Sequence, residues 1–164
     1  MDVLVVQSHP SRTSYNEAIL ETVLSSLECL SNIKTTLIRL GKKNIDEGTV
    51  ERKPAIVIFI YPTWWGGYPA SLTNWIQEVF FKNTHLFKDV RTIVSITTHG
   101  SSKFINLLQG EWGRSYTENR LAKICNNSVK LEWISLYKID RCTHNELENY
   151  LAKVKSDVTE FIAG

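Results

Sequence analysis

Ala55-Ile56-Val57-Ile58-Phe59-Ile60-Tyr61 is the longest apolar run in the chain, and the architecture follows from it. Its apolar residues do not alternate with polar ones, the pattern of a strand buried on both faces at the centre of a sheet. Val3-Leu4-Val5-Val6 is a shorter run of the same kind. Thr92 to Thr98 and Val129 to Tyr137 read as two more strands, and the more polar Thr35 to Leu40 as an edge strand. The segments between them change to helical spacing. Asn16 to Leu30 places Leu20, Val23, Leu24, Leu27 and Leu30 on one face. Pro69 to Phe81 reads as a helix with proline in its first turn and Leu72, Trp75, Ile76, Val79 and Phe80 inward. Arg114 to Cys125 also reads as helical. Thr143 to Ile162 closes the chain as an amphipathic helix, with Thr143 and Glu146 spaced as a capping box.

Strands alternating with helices imply a parallel sheet covered on both faces, an α/β fold with right-handed crossovers. Five strands suggest the order 2-1-3-4-5, in which ligands bind beyond the carboxyl ends of the central strands. The link Gly41–Pro54 is short and polar, with room for one or two helical turns.

Composition narrows the class. A chain of 164 residues with 43% hydrophobic and 22% charged residues matches a globular domain, so one domain over 1–164 is expected. That balance excludes a coiled coil or a disordered chain. The apolar runs fall far short of the ~20 residues that span a bilayer. No signal peptide is recognisable at the start. Cys29, Cys125 and Cys142 form no CxxC, which suggests neither a disulfide framework nor a zinc site. The expected setting is therefore reducing and cytoplasmic, with no metal. A net charge of +2 gives no basic face for nucleic acid.

The loops after strands one, three and four hold the candidate chemistry. The first, Gln7-Ser8-His9-Pro10-Ser11-Arg12-Thr13-Ser14-Tyr15-Asn16, lacks the glycines of a dinucleotide or Walker loop. It is rich in hydroxyls and feeds a helix N-terminus, where free amides and the helix dipole favour a phosphate. The same residues also serve as ordinary helix starters. The second, Tyr61-Pro62-Thr63-Trp64-Trp65-Gly66-Gly67-Tyr68-Pro69, sets aromatic rings in a loop rather than on an apolar face, which suits a planar ligand. The third, Thr97-Thr98-His99-Gly100-Ser101-Ser102, offers hydroxyls and amides, although alone it reads as a plain turn. Together they outline an anion pocket joined to an aromatic wall, and flavin mononucleotide fits both. A response-regulator reading of this sheet would need a carboxylate where Tyr61-Pro62 stands and an acidic cluster where Ser8-His9-Pro10 stands.

These loops resemble those of the flavodoxin-like NAD(P)H:quinone oxidoreductases, including the modulator-of-drug-activity group and the ancillary flavoproteins of potassium efflux systems. The loop from His9 to Asn16 is similar to their phosphate loop. Tyr61 to Ala70, followed by Leu72, Trp75 and Val79-Phe80, closely resembles their flavin loop and helix. Thr97-Thr98-His99-Gly100 is similar to a Thr-Thr-Gly-Gly turn. The resemblance runs from Val3 to about Gly113. It implies the flavodoxin-like three-layer fold, with the flavin phosphate on His9, Thr13, Ser14, Tyr15 and Asn16. It sets Pro62, Thr63, Trp64 and Trp65 along the ring and ribityl chain, and Thr97, Thr98 and Gly100 at the ring's polar edge. Trp65 and His99 are the catalytic candidates; His99 stands where the family has glycine, to crowd the ring or to supply a proton. The Tyr and His relay of the longer members has no clear counterpart in Phe104-Ile105-Asn106 or Glu111-Trp112-Gly113.

The expected activity is hydride transfer from NADPH or NADH through FMN to a quinone or similar small acceptor, by a homodimer. FMN is expected over FAD because no long extension follows Gly164. The alternative is a flavin-binding ancillary subunit of a membrane transport system. A plain electron carrier is disfavoured by the mild positive charge.

Overall fold

The computed structural model describes residues 1–41, 50–108 and 112–163. Five strands form one parallel sheet in the order β2-β1-β3-β4-β5, as expected. They are β1 (Asp2–Ser8), β2 (Lys34–Leu40), β3 (Ile56–Thr63), β4 (Thr92–His99) and β5 (Lys130–Leu136). The helices are α1 (Tyr15–Glu28), α2 (Ala70–Trp75), α3 (Thr84–Phe87), α4 (Lys103–Leu108), α5 (Trp112–Tyr116) and α6 (His144–Ala163).

The apolar run of β3 occupies the centre of the sheet. Ile58 pairs with Val5 on one side and with Val94 on the other. Its residues alternate between two cores. Val57, Phe59 and Tyr61 join Leu4, Val6, Leu72, Phe80 and Phe87 on one face. Ile56, Ile58 and Ile60 join Val3, Val5, Ile19, Val23 and Val154 on the other, beneath α1 and α6. Full burial of each large side chain contributes roughly 1.5–3 kcal/mol, and burial on both faces is what makes an unalternating run favourable here. β2 lies at an edge, with only Ile38 and Leu40 buried.

Two expected helices take a different course. Pro69 to Phe81 is α-helical only over Ala70–Trp75 and then widens into a π-helical turn, Ile76–Phe80. The Phe81 amide donates to the Ile76 carbonyl five residues back, at 3.0 Å. Arg114 to Cys125 likewise opens into a π-turn over Thr117–Leu121, where Ala122 donates to Thr117 at 2.9 Å. Aromatic packing accompanies both turns. Phe80 stacks on Phe87 with centroids 4.1 Å apart, and Phe81 meets Tyr116 edge-on. α3 and α4 are short helices absent from the sequence reading. The α6 capping box is present: Glu146 N donates to Thr143 Oγ1 at 3.3 Å, and Thr143 N to Glu146 Oε2 at 2.7 Å.

Trp75 is buried, and Trp133 packs against the same core. Cys125 is buried beneath it, and desolvation pushes its thiol up to about 12. The expected short helix in the link Gly41–Pro54 falls largely on residues 42–49, outside the described residues. Among the described residues no helix is long and apolar enough to cross a membrane.

Candidate functional site

A crevice of about 500 Å³ opens beyond the carboxyl ends of β1, β3 and β4. This is the position that a parallel sheet of this strand order reserves for ligands.

The β1 loop forms one wall. His9, Ser14, Tyr15 and Asn16 line it. Ser14 stands at the N-cap of α1 with extended backbone, φ −90° and ψ 161°, but makes no side-chain cap. Its hydroxyl donates back to the Ser11 carbonyl at 3.0 Å. Among the described residues the first-turn amides of α1 therefore have no side-chain acceptor, at the positive end of a 14-residue helix. His9 Nδ1 lies 3.0 Å from both the amide and the carbonyl of Ser11. Asn16 is 3% exposed; its Nδ2 donates to Thr98 Oγ1 at 3.2 Å, while Oδ1 has no partner among the described residues. This bond ties the start of α1 to the end of β4. The Tyr15 ring lines the crevice, but its hydroxyl donates to the Leu147 carbonyl at 2.6 Å, and burial raises its pKa to about 12.

The β3 loop forms the facing wall through Pro62, Thr63, Trp64, Trp65 and Gly66. Trp64 and Gly67 exchange backbone hydrogen bonds at 3.2 and 3.0 Å across a two-residue turn. Both central residues have positive φ, 52° at Trp65 and 75° at Gly66, as in a type I′ turn. Glycine adopts this freely, whereas Trp65 holds it at a cost of roughly 1–2 kcal/mol. Its indole is nonetheless 95% exposed and gains almost no burial in return. Gly67 lies under Trp112, whose ring carbon would sit 2.8 Å from a Cβ there, so α5 closes directly onto the loop.

The β4 loop supplies Thr98, Gly100 and Ser101. Strand alternation separates the other expected residues of this segment. Thr97 is fully buried and shares a 2.6 Å hydrogen bond with Thr63 Oγ1, behind the wall rather than in it. His99 is only 6% exposed; it stacks on Tyr137 with centroids 4.5 Å apart and borders a small separate cavity with Tyr61 and Trp133. Thr63 and Gly66 border both cavities, so His99 sits one residue behind the crevice. Thr13 is exposed, bonds Ser11 Oγ at 3.0 Å and does not line the crevice. The segment after β5 adds Ile139 and Asp140, which no motif in the sequence singles out.

The chain resembles known proteins in sequence pattern and in structure. A family model described as a flavodoxin-like fold matches residues 1–126. The structure of Smu.1420 from Streptococcus mutans UA159 superimposes with a TM-score of 0.77 at 23% identity, covering 98% of this chain and 100% of that one. An NAD(P)H:quinone oxidoreductase from Methanothermobacter marburgensis gives 0.74 at 17% identity, covering 98% and 96%. An FMN-dependent NADH-azoreductase from Bacillus anthracis, solved in complex with FMN, gives 0.73 at 11% identity, covering 98% of both chains. At these identities the structural likeness is one of fold. No curated protein matches the chain.

Proposed function

The chain belongs to the flavodoxin-like fold family, and from that premise we propose that it is an FMN-dependent NAD(P)H oxidoreductase acting on a quinone or similar small acceptor. The observation that carries this reading is the uncapped N-terminus of α1 opening into the same crevice as the Trp64–Trp65 turn. One end suits a phosphate and the other a flat ring, and the volume lies in the range of small-ligand sites. The fold neighbours named as NAD(P)H:quinone oxidoreductase and FMN-dependent azoreductase support the same direction. The transporter-subunit alternative draws no support from them.

The residues divide the work. The first-turn amides at Tyr15 and Asn16, with the His9 ring, would hold the phosphate. Asn16 Oδ1 is buried and can accept from a ligand hydroxyl. Pro62, Thr63, Trp64 and Trp65 would flank the ring and ribityl chain, and the Thr98–Gly100 backbone would be available to the ring's polar edge. FMN would supply the hydride-carrying chemistry when bound, while the protein would hold and orient it. His99, behind Thr63, supports the wall rather than touching the ligand.

Purified protein incubated with FMN is expected to retain it through gel filtration and to lose the oxidised flavin's visible absorbance anaerobically on adding NADPH or NADH. Retention of no flavin, or of flavin that neither nucleotide reduces, removes this reading.

A second copy of the chain is the proposed partner. Trp64, Trp65, Phe104, Ile105, Leu107 and Trp112 are large, exposed apolar side chains on the β3 loop, α4 and the start of α5. Pairing would cover them and deepen the crevice. Sedimentation is expected to give a dimer at micromolar concentration; a monomer there sinks the idea.

A further inference from the structure

The crevice carries an unusual charge for one that takes an anion. Among its described lining residues there is no lysine or arginine, and apart from the His9 imidazole the one ionisable acid or base of ordinary charge is the carboxylate of Asp140. The phosphate end relies on backbone amides, the His9 ring and the α1 dipole. The carboxylate enters from the opposite side, on the 3₁₀ turn Ile139–Arg141 that follows β5.

That turn is held in place. Lys138 precedes it in the left-handed region, φ 55° and ψ 39°, and donates its amide to the Ser101 carbonyl at 3.1 Å. Arg141 N closes back onto the Lys138 carbonyl at 2.8 Å. The side chain is thereby directed at the β4 loop, where a Cβ built on Gly100 would lie 3.2 Å from Asp140 Oδ2. Asp140 forms no salt bridge among the described residues and is not the cap of α6, a role filled by Thr143 and Glu146.

We propose that Asp140 tunes the redox preference of the crevice by weakening its hold on reduced flavin relative to oxidised flavin. The proposal rests on the FMN reading above. Hydride from a dihydronicotinamide, two electrons with one proton, leaves the nicotinamide oxidised and adds one negative charge to the flavin. The phosphate charge is common to both flavin forms, so its repulsion with Asp140 cancels in their ratio. The charge that differs would lie on the ring, and in the FMN reading the ring's polar edge would face the Gly100 backbone, beside which the Asp140 carboxylate stands. Like charges several ångströms apart in a partly solvated site repel enough to shift the ratio on the order of 5- to 10-fold. A flavin held this way passes its hydride on to the acceptor more readily.

Asp140→Asn keeps the shape of the side chain and removes the charge. Anaerobic titration of wild type and variant, with oxidised FMN and with dithionite-reduced FMN, reads the two dissociation constants directly. The variant is expected to tighten reduced FMN on the order of 5- to 10-fold and to change oxidised FMN less than about 2-fold. Asp140→Glu is expected to keep the wild-type ratio, and salt to shrink the difference between wild type and Asp140→Asn. An unchanged ratio in two proteins that both bind FMN, or an equal change in both forms, overturns the role of Asp140 while leaving the FMN reading in place. A wild-type protein that takes up neither form overturns both.

Discussion

Ser14→Asp is expected to weaken FMN binding by about 100-fold or more while leaving the fold as stable as before, or slightly more so. The two effects have opposite signs because one position serves two purposes. Ser14 is the N-cap of α1, yet its hydroxyl is committed to the Ser11 carbonyl, so the helix has no side-chain cap to lose. Aspartate is among the best N-cap residues, and a negative charge there complements the helix dipole. The carboxylate would therefore accept the first-turn amides that FMN's phosphate needs. It would also place a like charge within about 4 Å of that phosphate, a repulsion of a few kcal/mol at a partly solvated site. Flavin titration alongside a thermal melt separates the two effects. Wild-type FMN affinity in a stably folded Ser14→Asp protein would remove the phosphate assignment. Ser14→Ala is the control, expected to change neither quantity much.

Phe80→Ala is expected to cost about 3–5 kcal/mol of stability, read as a fall in the denaturant midpoint with little change in slope. Phe80 is fully buried in the core beneath α2 and stacks on Phe87 with an interplanar angle of 19°. Removing the ring forfeits its transfer energy and leaves a gap beside a second aromatic ring. Phe87 also meets Trp75 edge-on, so the loss reaches a cluster rather than a pair. A cost below about 1 kcal/mol would mean that the π-turn relaxes enough to close the gap.

That π-turn marks a limit of what local pattern conveys. Ile76, Val79 and Phe80 were placed inward from their spacing, and Ile76 and Phe80 are indeed fully buried. An α-turn and a π-turn differ by one carbonyl in the hydrogen-bond ladder, a shift too small to alter an apolar stripe over five residues. The aromatic packing that accompanies the wider turn comes from α3 and α5, outside the segment. α6 is the contrary case. Its start rests on a contact three residues apart, Thr143 with Glu146, and so was legible in full.

Within the crevice the same distinction holds. The β1 and β3 loops were identified because unusual residues cluster in each. Thr97, Thr98, His99 and Gly100 were grouped by adjacency, but β4 continues through His99. Alternation along a strand then turns Thr98 toward Asn16 and sets Thr97 and His99 behind the wall. Asp140 lay beyond any motif, since it comes beside Gly100, forty residues away in the chain, only through the fold.

The sequence by itself determined the strands, their parallel order and the end of the sheet at which the crevice opens. Each of these depends on hydrophobic period and on connection lengths, which are properties of near neighbours. Only the tertiary structure decided which side chains share the crevice, that the N-terminus of α1 is left uncapped, and that a carboxylate completes the wall. Those outcomes depend on strand register and on how loops from β1, β3, β4 and β5 approach one another, and no single segment carries that information.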